Sequence, residues 1–175
     1  MAVVSLLPDQ ASQALLAPLT VVVPIYNEMA TIEKVLADWH SVLRKVGAEY
    51  QFLLINDGST DQTWEVLQRL EASDPRQLII VNKPNAGHGR SCRLGYDAAA
   101  AAPGVEWVLQ IDSDGQCDPS YFTDFWDKRG QADCIFGQRV LRDDGFARTI
   151  TSTCCRLGST FLGGKEMVDP NVPYR

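Results

Sequence analysis

"LTVVVPIYNEMATIEKVLADWHSVLRKVG", residues 19–47, changes character in the middle. Its opening, 19–26, is apolar and largely β-branched with no alternation, the pattern of a strand covered on both faces. From Thr31 onward Ile32, Val35, Leu36, Trp39, Leu43 and Val46 return at helical spacing, until Gly47 stops them. A doubly buried strand followed by one amphipathic helix is the repeating unit of a parallel sheet layered between helices. The unit recurs along the chain. "YQFLLIN" (50–56) reads as a strand, "DGSTD" as a turn rich in capping side chains, and Trp64, Leu67 and Leu70 mark the helix that follows. "LIIVN" (78–82) is the next strand, "KPNAGHG" a loop, and a helix runs from about Arg90 through the alanines at 98–102 to a strand "EWVLQI" (106–111). This β-α-β-α-β-α-β order predicts an α/β, Rossmann-like fold: a mostly parallel sheet with right-handed crossovers and helices on both faces. Ligands in such sheets collect at the carboxyl ends of the strands. Beyond these units the pattern predicts a short helix around Tyr121–Trp126, a strand "ADCIFGQR" (132–139), a loop "VLRDDG" and a helix from about Phe146 to Leu162. Residues 1–18 read as a loose N-terminal segment ahead of a single domain over 19–175.

Size and composition agree with one domain. The chain has 175 residues, 45% of them hydrophobic, which is enough for a substantial single core and short for two. The formal net charge of −6 repels nucleic acid and an anionic bilayer, so a phosphate-bearing partner has to be held by local groups. No run reaches the roughly 18 apolar residues of a membrane span, and "MAVVSLLPDQ" lacks the marks of a signal peptide. The expectation is a soluble chain. Cysteines at 92, 117, 134, 154 and 155 are odd in number and form no C-x-x-C pair, so they read as free thiols of a reducing compartment.

The chemistry concentrates in "WVLQIDSDGQCDP" (107–119), where an apolar strand ends in two carboxylates, Asp112 and Asp114, followed by Gln116. "NDGSTD" ends an earlier strand at the same edge of the sheet, so both can share a crevice. Two acids spaced D-x-D with a nearby amide offer hard oxygen ligands for Mg2+ or Mn2+ while leaving positions for substrate phosphates. Ordinary turn chemistry is the plainer alternative for an isolated D-x-D-G. An EF-hand does not fit, because glycine comes fourth instead of sixth. A phosphatase motif of the haloacid-dehalogenase type fits poorly: three strand-helix units precede it, and Gln116 replaces the expected threonine.

"VVVPIYNEMATI", "LLINDGSTDQT", "NAGHGRSCRLGYDAA" and "IDSDGQCDP", in this order, resemble glycosyltransferase family 2, the inverting sugar-nucleotide transferases of GT-A fold, over about residues 19–175. The resemblance makes 19–175 a catalytic domain. It implies that Pro24, Tyr26 and Glu28 form a first nucleotide-binding loop, that Asp57 recognises the base, and that Gly87 and Gly89 lie in a loop passing close to the donor. Asp112 would lie against the nucleotide, and Asp114 with Gln116 would hold the metal. "GQRVLRDDGFAR" and the terminal "DPNVPYR" are similar to the dolichol-phosphate mannose synthase and polyprenyl-phosphate glycosyltransferase branch. Arg139, Arg142 and Arg148 would then hold a lipid phosphate or a departing diphosphate. The implied donor is a UDP- or GDP-linked sugar, and the acceptor a polyprenyl phosphate.

Plainer readings stand beside these: core packing for Tyr26, a helix-entry cap for Asp57, and solvated surface for the arginines. Ser59 and Thr60 read as turn and cap residues, His88 as a loop side chain near the site, and His40 as surface. A saccharide hydroxyl acceptor, or a nucleotide-sugar-binding module without turnover, are the alternative functions. Because the chain stops on what resembles a family motif, it reads as truncated at its C-terminus, with a full-length parent working at the cytoplasmic side of a membrane.

Overall fold

The computed structural model describes residues 8–137. Four strands form one parallel sheet in the order β3-β2-β1-β4: β1 Leu19–Ile25, β2 Tyr50–Asp57, β3 Leu78–Lys83 and β4 Trp107–Gln110. Helices α2 (Ile32–Lys45), α3 (Thr63–Ser73) and α4 (His88–Ala101) are the crossovers, and a 3-10 turn over Pro119–Tyr121 leads into the short α5, Phe122–Lys128. Every residue of β1 and β2 is buried, as an unbroken apolar run requires.

Alternate side chains of the central strands enter different layers. Val21, Val23, Phe52, Leu54 and Ile80 pack with Trp39 and Leu43 of α2 and Leu67 of α3, and Phe122 of α5 meets Trp39 edge-on at 6.0 Å. Val22, Leu53, Ile55, Ile79 and Val81 face the other way, onto Ala98 and Ala99 of α4. The small residues let α4 lie close to the sheet, and Gly95 closest of all. A Cβ there would fall well inside contact distance of Val22 Cγ1 and 3.0 Å from Ile55 Cδ1. Val22 is β-branched and stiff, so it has no easy escape. Gly95→Ala is therefore expected to destabilise the fold by about 1–3 kcal/mol from overpacking, even though alanine favours a helix by about 1 kcal/mol. Denaturant unfolding checks this; a midpoint at or above the parent's would show that the layer has slack.

Several expectations change here. The segment before β1 is not loose over its described part: residues Pro8–Ala14 form a helix, α1, and Ala11 and Leu15 are buried against the α4 side of the sheet. The cause lies in β2. Gln51, 7% exposed, accepts from the N–H groups of Leu16 (2.6 Å) and Ala17 (2.9 Å) and donates to the carbonyls of Ala14 and Arg76. His40 is half-buried rather than surface, with its Nδ1 2.7 Å from the Tyr50 hydroxyl and its ring against Phe52. Burial and then the Arg44 charge hold its pKa below the usual value. Helix α4 starts at His88, not Arg90, so His88 and Gly89 stand in its first turn. No strand forms over 132–137, and Phe136 is exposed there. The rest of that expected strand and the expected helix over 146–162 lie outside the described residues.

Candidate active site

The four strands end at one edge, and the loops leaving them build a cleft of about 320 Å³. Pro24, Tyr26 and Glu28 reach it from β1, Asp57 from β2, Gly87 and His88 from the start of α4, and Asp112 and Asp114 from the end of β4. These include seven of the expected site residues. Gly89 and Gln116 do not line the cleft, and Arg139, Arg142 and Arg148 lie outside the described residues.

The first loop is shaped by Asn27, whose φ of 56° lies in the left-handed region that asparagine tolerates better than most residues. Its side-chain oxygen accepts from the N–H of Thr60 at 2.8 Å, and its own N–H donates to Ser59 Oγ at 3.0 Å. Glu28 N–H donates to Thr63 Oγ1 at 2.8 Å. Ser59 and Thr60 therefore do more than cap a turn, because they lace the β1 and β2 loops together. The Thr31 hydroxyl lies against the Glu28 carboxylate and 3.4 Å from the Ser113 carbonyl, which links this loop to the D-x-D turn.

Asp57 is 3% exposed, and its carboxylate is occupied by the protein. Lys83 Nζ donates to Oδ1, the Ala86 N–H to Oδ1 at 2.8 Å, and the Gly87 N–H to Oδ2 at 2.9 Å. Burial alone would raise this carboxyl; the donations from Lys83, Ala86 and Gly87 outweigh it and leave the pKa below the usual value. Asp57 is not an entry cap for α3. Lys83 was not singled out in the sequence, yet the signal existed: the parallel register sets Asp57 opposite Lys83 and Asn56 opposite Asn82, and the two asparagines bond at 2.8 Å.

At the far wall, Gln110 Nε2 donates to Asp112 Oδ1 at 2.9 Å, and His88 Nε2 lies 3.9 Å from the same oxygen. Asp114 is exposed, with Oδ1 accepting the Gln116 N–H at 2.9 Å, so Gln116 acts here through its backbone. Gly87 has a φ of 93°, and among the described residues no atom beyond the neighbouring backbone comes within 4 Å of a Cβ built at Gly87 or Gly89. The case for glycine at 87 is thus its backbone, not protein crowding.

Glu28, Asp57, Asp112 and Asp114 give the cleft four carboxylates. Among the described residues no group of three or more His, Cys, Asp or Glu side chains is gathered as a complete metal cage. Two acids one residue apart on an open cleft instead suit Mg2+ or Mn2+ completed by a ligand's phosphates. No helix among the described residues is long and apolar enough to cross a membrane.

Undecaprenyl-phosphate 4-deoxy-4-formamido-L-arabinose transferase of Pectobacterium atrosepticum is 28% identical over 153 residues, covering 86% of this chain and 45% of the relative. The chain thus spans less than half the length of that relative. Among solved structures, the glucosyl-3-phosphoglycerate synthase of M. tuberculosis superposes with a TM-score of 0.53 at 22% identity, over 90% of this chain and 56% of that one. S. aureus TarS 1–349, in complex with UDP-GlcNAc, gives 0.50 at 23% identity, over 71% and 37%. These likenesses bear out the GT-A α/β fold expected from the motifs. The glycosyl transferase family 2 model matches residues 20–173, nearly the whole sequence and every loop of the cleft, and the chain belongs to that family.

Proposed function

We propose that this chain is the donor-binding catalytic domain of an inverting glycosyltransferase that moves a sugar from a nucleoside diphosphate to a polyprenyl phosphate. The observation that carries the reading is the cleft itself: paired carboxylates, Asp112 and Asp114, at the carboxyl end of a parallel strand, facing the loops of β1 and β2. An anionic diphosphate would be repelled by Glu28, Asp112 and Asp114, the carboxylates not paired with Lys83, unless a cation came with it. Mg2+ or Mn2+ held by Asp114, whose Oδ1 the Gln116 N–H orients, would supply Lewis-acid stabilisation of the charge on the departing diphosphate. Tyr26, 47% exposed at the cleft, offers a ring face to a base, and Glu28 and Asp112 offer acceptors to ribose hydroxyls. The start of α4, whose Gly87 and His88 line the cleft, brings the positive end of the helix dipole to the same edge.

The acceptor assignment rests on the relative's name and on Arg139, Arg142 and Arg148. A phosphate acceptor is already anionic, so attack on the anomeric carbon from the face opposite the leaving group needs no general base. The full-length protein would then work at the cytoplasmic face of a membrane, where such lipids are reached. The test is made in that full-length protein. Arg139→Ala or Arg142→Ala should slow transfer to undecaprenyl phosphate by roughly tenfold to a hundredfold, the loss of one charge-assisted contact, while nucleotide affinity stays near the parent's. Parental transfer rates in both variants, or a parent that glycosylates only hydroxyl acceptors, would replace this reading with a saccharide acceptor.

A further inference from the structure

Gln110 is a polar side chain where the architecture asks for an apolar one. It is the last residue of β4, 2% exposed, and lies in register with Val22, whose side chain belongs to the apolar layer under α4. Burying an amide in such a layer is costly unless both of its ends are bonded. Both ends are. The Tyr96 hydroxyl, from α4, donates to Gln110 Oε1 at 3.1 Å, and Gln110 Nε2 donates to Asp112 Oδ1 at 2.9 Å. An ionised carboxylate only accepts, so Asp112 takes the amide N–H, and the Tyr96 hydroxyl completes the pair by donating to the Oε1 that is left.

We propose that Gln110, anchored on α4 by Tyr96, is the positioning residue that aims Asp112 into the donor cleft, an inference that rests on reading that cleft as the nucleotide site. The spacing makes the contact natural, because Asp112 follows the end of β4 by two residues and its Oδ1 comes within 2.9 Å of Gln110 Nε2. Asp112 keeps a third of its side-chain surface exposed, so packing alone does not immobilise it. A charge-assisted bond from a fully buried donor holds a carboxylate more firmly than a neutral one does. The same helix approaches Asp112 twice: His88 in the first turn of α4 lies 3.9 Å from it, and Tyr96, two turns on, reaches it through Gln110. A purely structural account, an α4-to-β4 staple that satisfies its own amide, predicts no effect of Gln110 on nucleotide binding, and that is where the two readings part.

The experiment uses UDP and GDP, each with Mg2+, as calorimetric probes of the chain. Gln110→Met is expected to weaken binding of whichever nucleotide the parent binds by about tenfold, and Tyr96→Phe by about threefold. The double variant should bind no worse than Gln110→Met, since the tyrosine acts only through the amide. A spectroscopic reading separates aim from packing: the Gln110 side-chain N–H resonances should shift strongly in Asp112→Asn and on adding the nucleotide. Parental affinity in folded Gln110→Met, or N–H resonances indifferent to Asp112→Asn, overturns the proposal. Should Gln110→Met fail to fold, parental affinity in Tyr96→Phe overturns it equally. If the parent binds neither nucleotide, the donor reading fails, and the resonances alone decide whether Gln110 holds Asp112.

Discussion

Asp57→Ala is expected to lower the unfolding free energy by about 3 kcal/mol or more and to abolish nucleotide binding with it. Removing one member of a buried ion pair typically costs about 3–5 kcal/mol, because the partner stays behind with its charge unmet. Here the carboxylate serves the Lys83 ammonium, whose side chain is only 12% exposed, and the N–H groups of Ala86 and Gly87. The Pro84 carbonyl, 3.4 Å from the ammonium, is a weak substitute. Against a total stability of roughly 5–15 kcal/mol such a loss is large. The expectation from sequence was that Asp57 reads the base, so that its removal would weaken binding and spare the fold. The structure assigns its oxygens to the 83–87 segment, and the binding loss then follows from losing that wall of the cleft. Adding Lys83→Met to Asp57→Ala removes the stranded charge and should recover at least half of the lost stability. A single variant within about 0.5 kcal/mol of the parent would show that solvent meets the ammonium instead.

The same contact predicts an acid limb. The folded pKa of Asp57 lies below its unfolded value of about 3.9, so its contribution is complete above that pH and is lost as pH falls through the folded value. Asp57→Asn should be less stable than the parent at neutral pH, and the difference should shrink as the pH drops below about 4.

How much of this was legible depended on whether the signal was local. The doubly buried strand "LTVVVPI" and the helical spacing from Ile32 are statements about neighbours in sequence, and they placed β1, α2 and the parallel order correctly. What failed depended on partners far along the chain. Residues 16 and 17 contain nothing that announces a buried Gln51 waiting for their N–H groups, so the segment looked loose. His40 looked like surface because its partners, Tyr50 and Phe52, arrive from the next strand. At the site, acids ending strands were visible as a pattern, while the groups that hold them were not: Lys83 reads as the first residue of a loop until the register sets it against Asp57. Gln110 was closest to legible, a lone amide in an apolar strand two residues before an aspartate.

Asp114→Ala is expected to remove the effect of Mg2+ or Mn2+ on nucleotide binding and to lower sugar transfer by about a thousandfold. The side chain is exposed at the cleft, its pair partner in the motif is Asp112, and its Oδ1 is oriented by the Gln116 N–H at 2.9 Å. Nothing in the core depends on it, so the variant should fold and melt like the parent, in contrast to Asp57→Ala. Its loss leaves Asp112 and Glu28 as the anionic wall facing a diphosphate, with one fewer hard oxygen ligand to hold the cation that would offset them. Lewis-acid stabilisation of a leaving diphosphate is worth several kcal/mol, and about 1.4 kcal/mol is tenfold in rate, so three orders of magnitude is the scale of the expected loss. The measurement pairs calorimetry of UDP and GDP in Mn2+ and in chelator with transfer assays in the full-length protein. In the parent, chelator should weaken binding; in Asp114→Ala the two conditions should coincide. If chelator leaves the parent's affinity unchanged, the paired carboxylates serve something other than a cation. In that case Asp114 would be no more than the acceptor of its own turn.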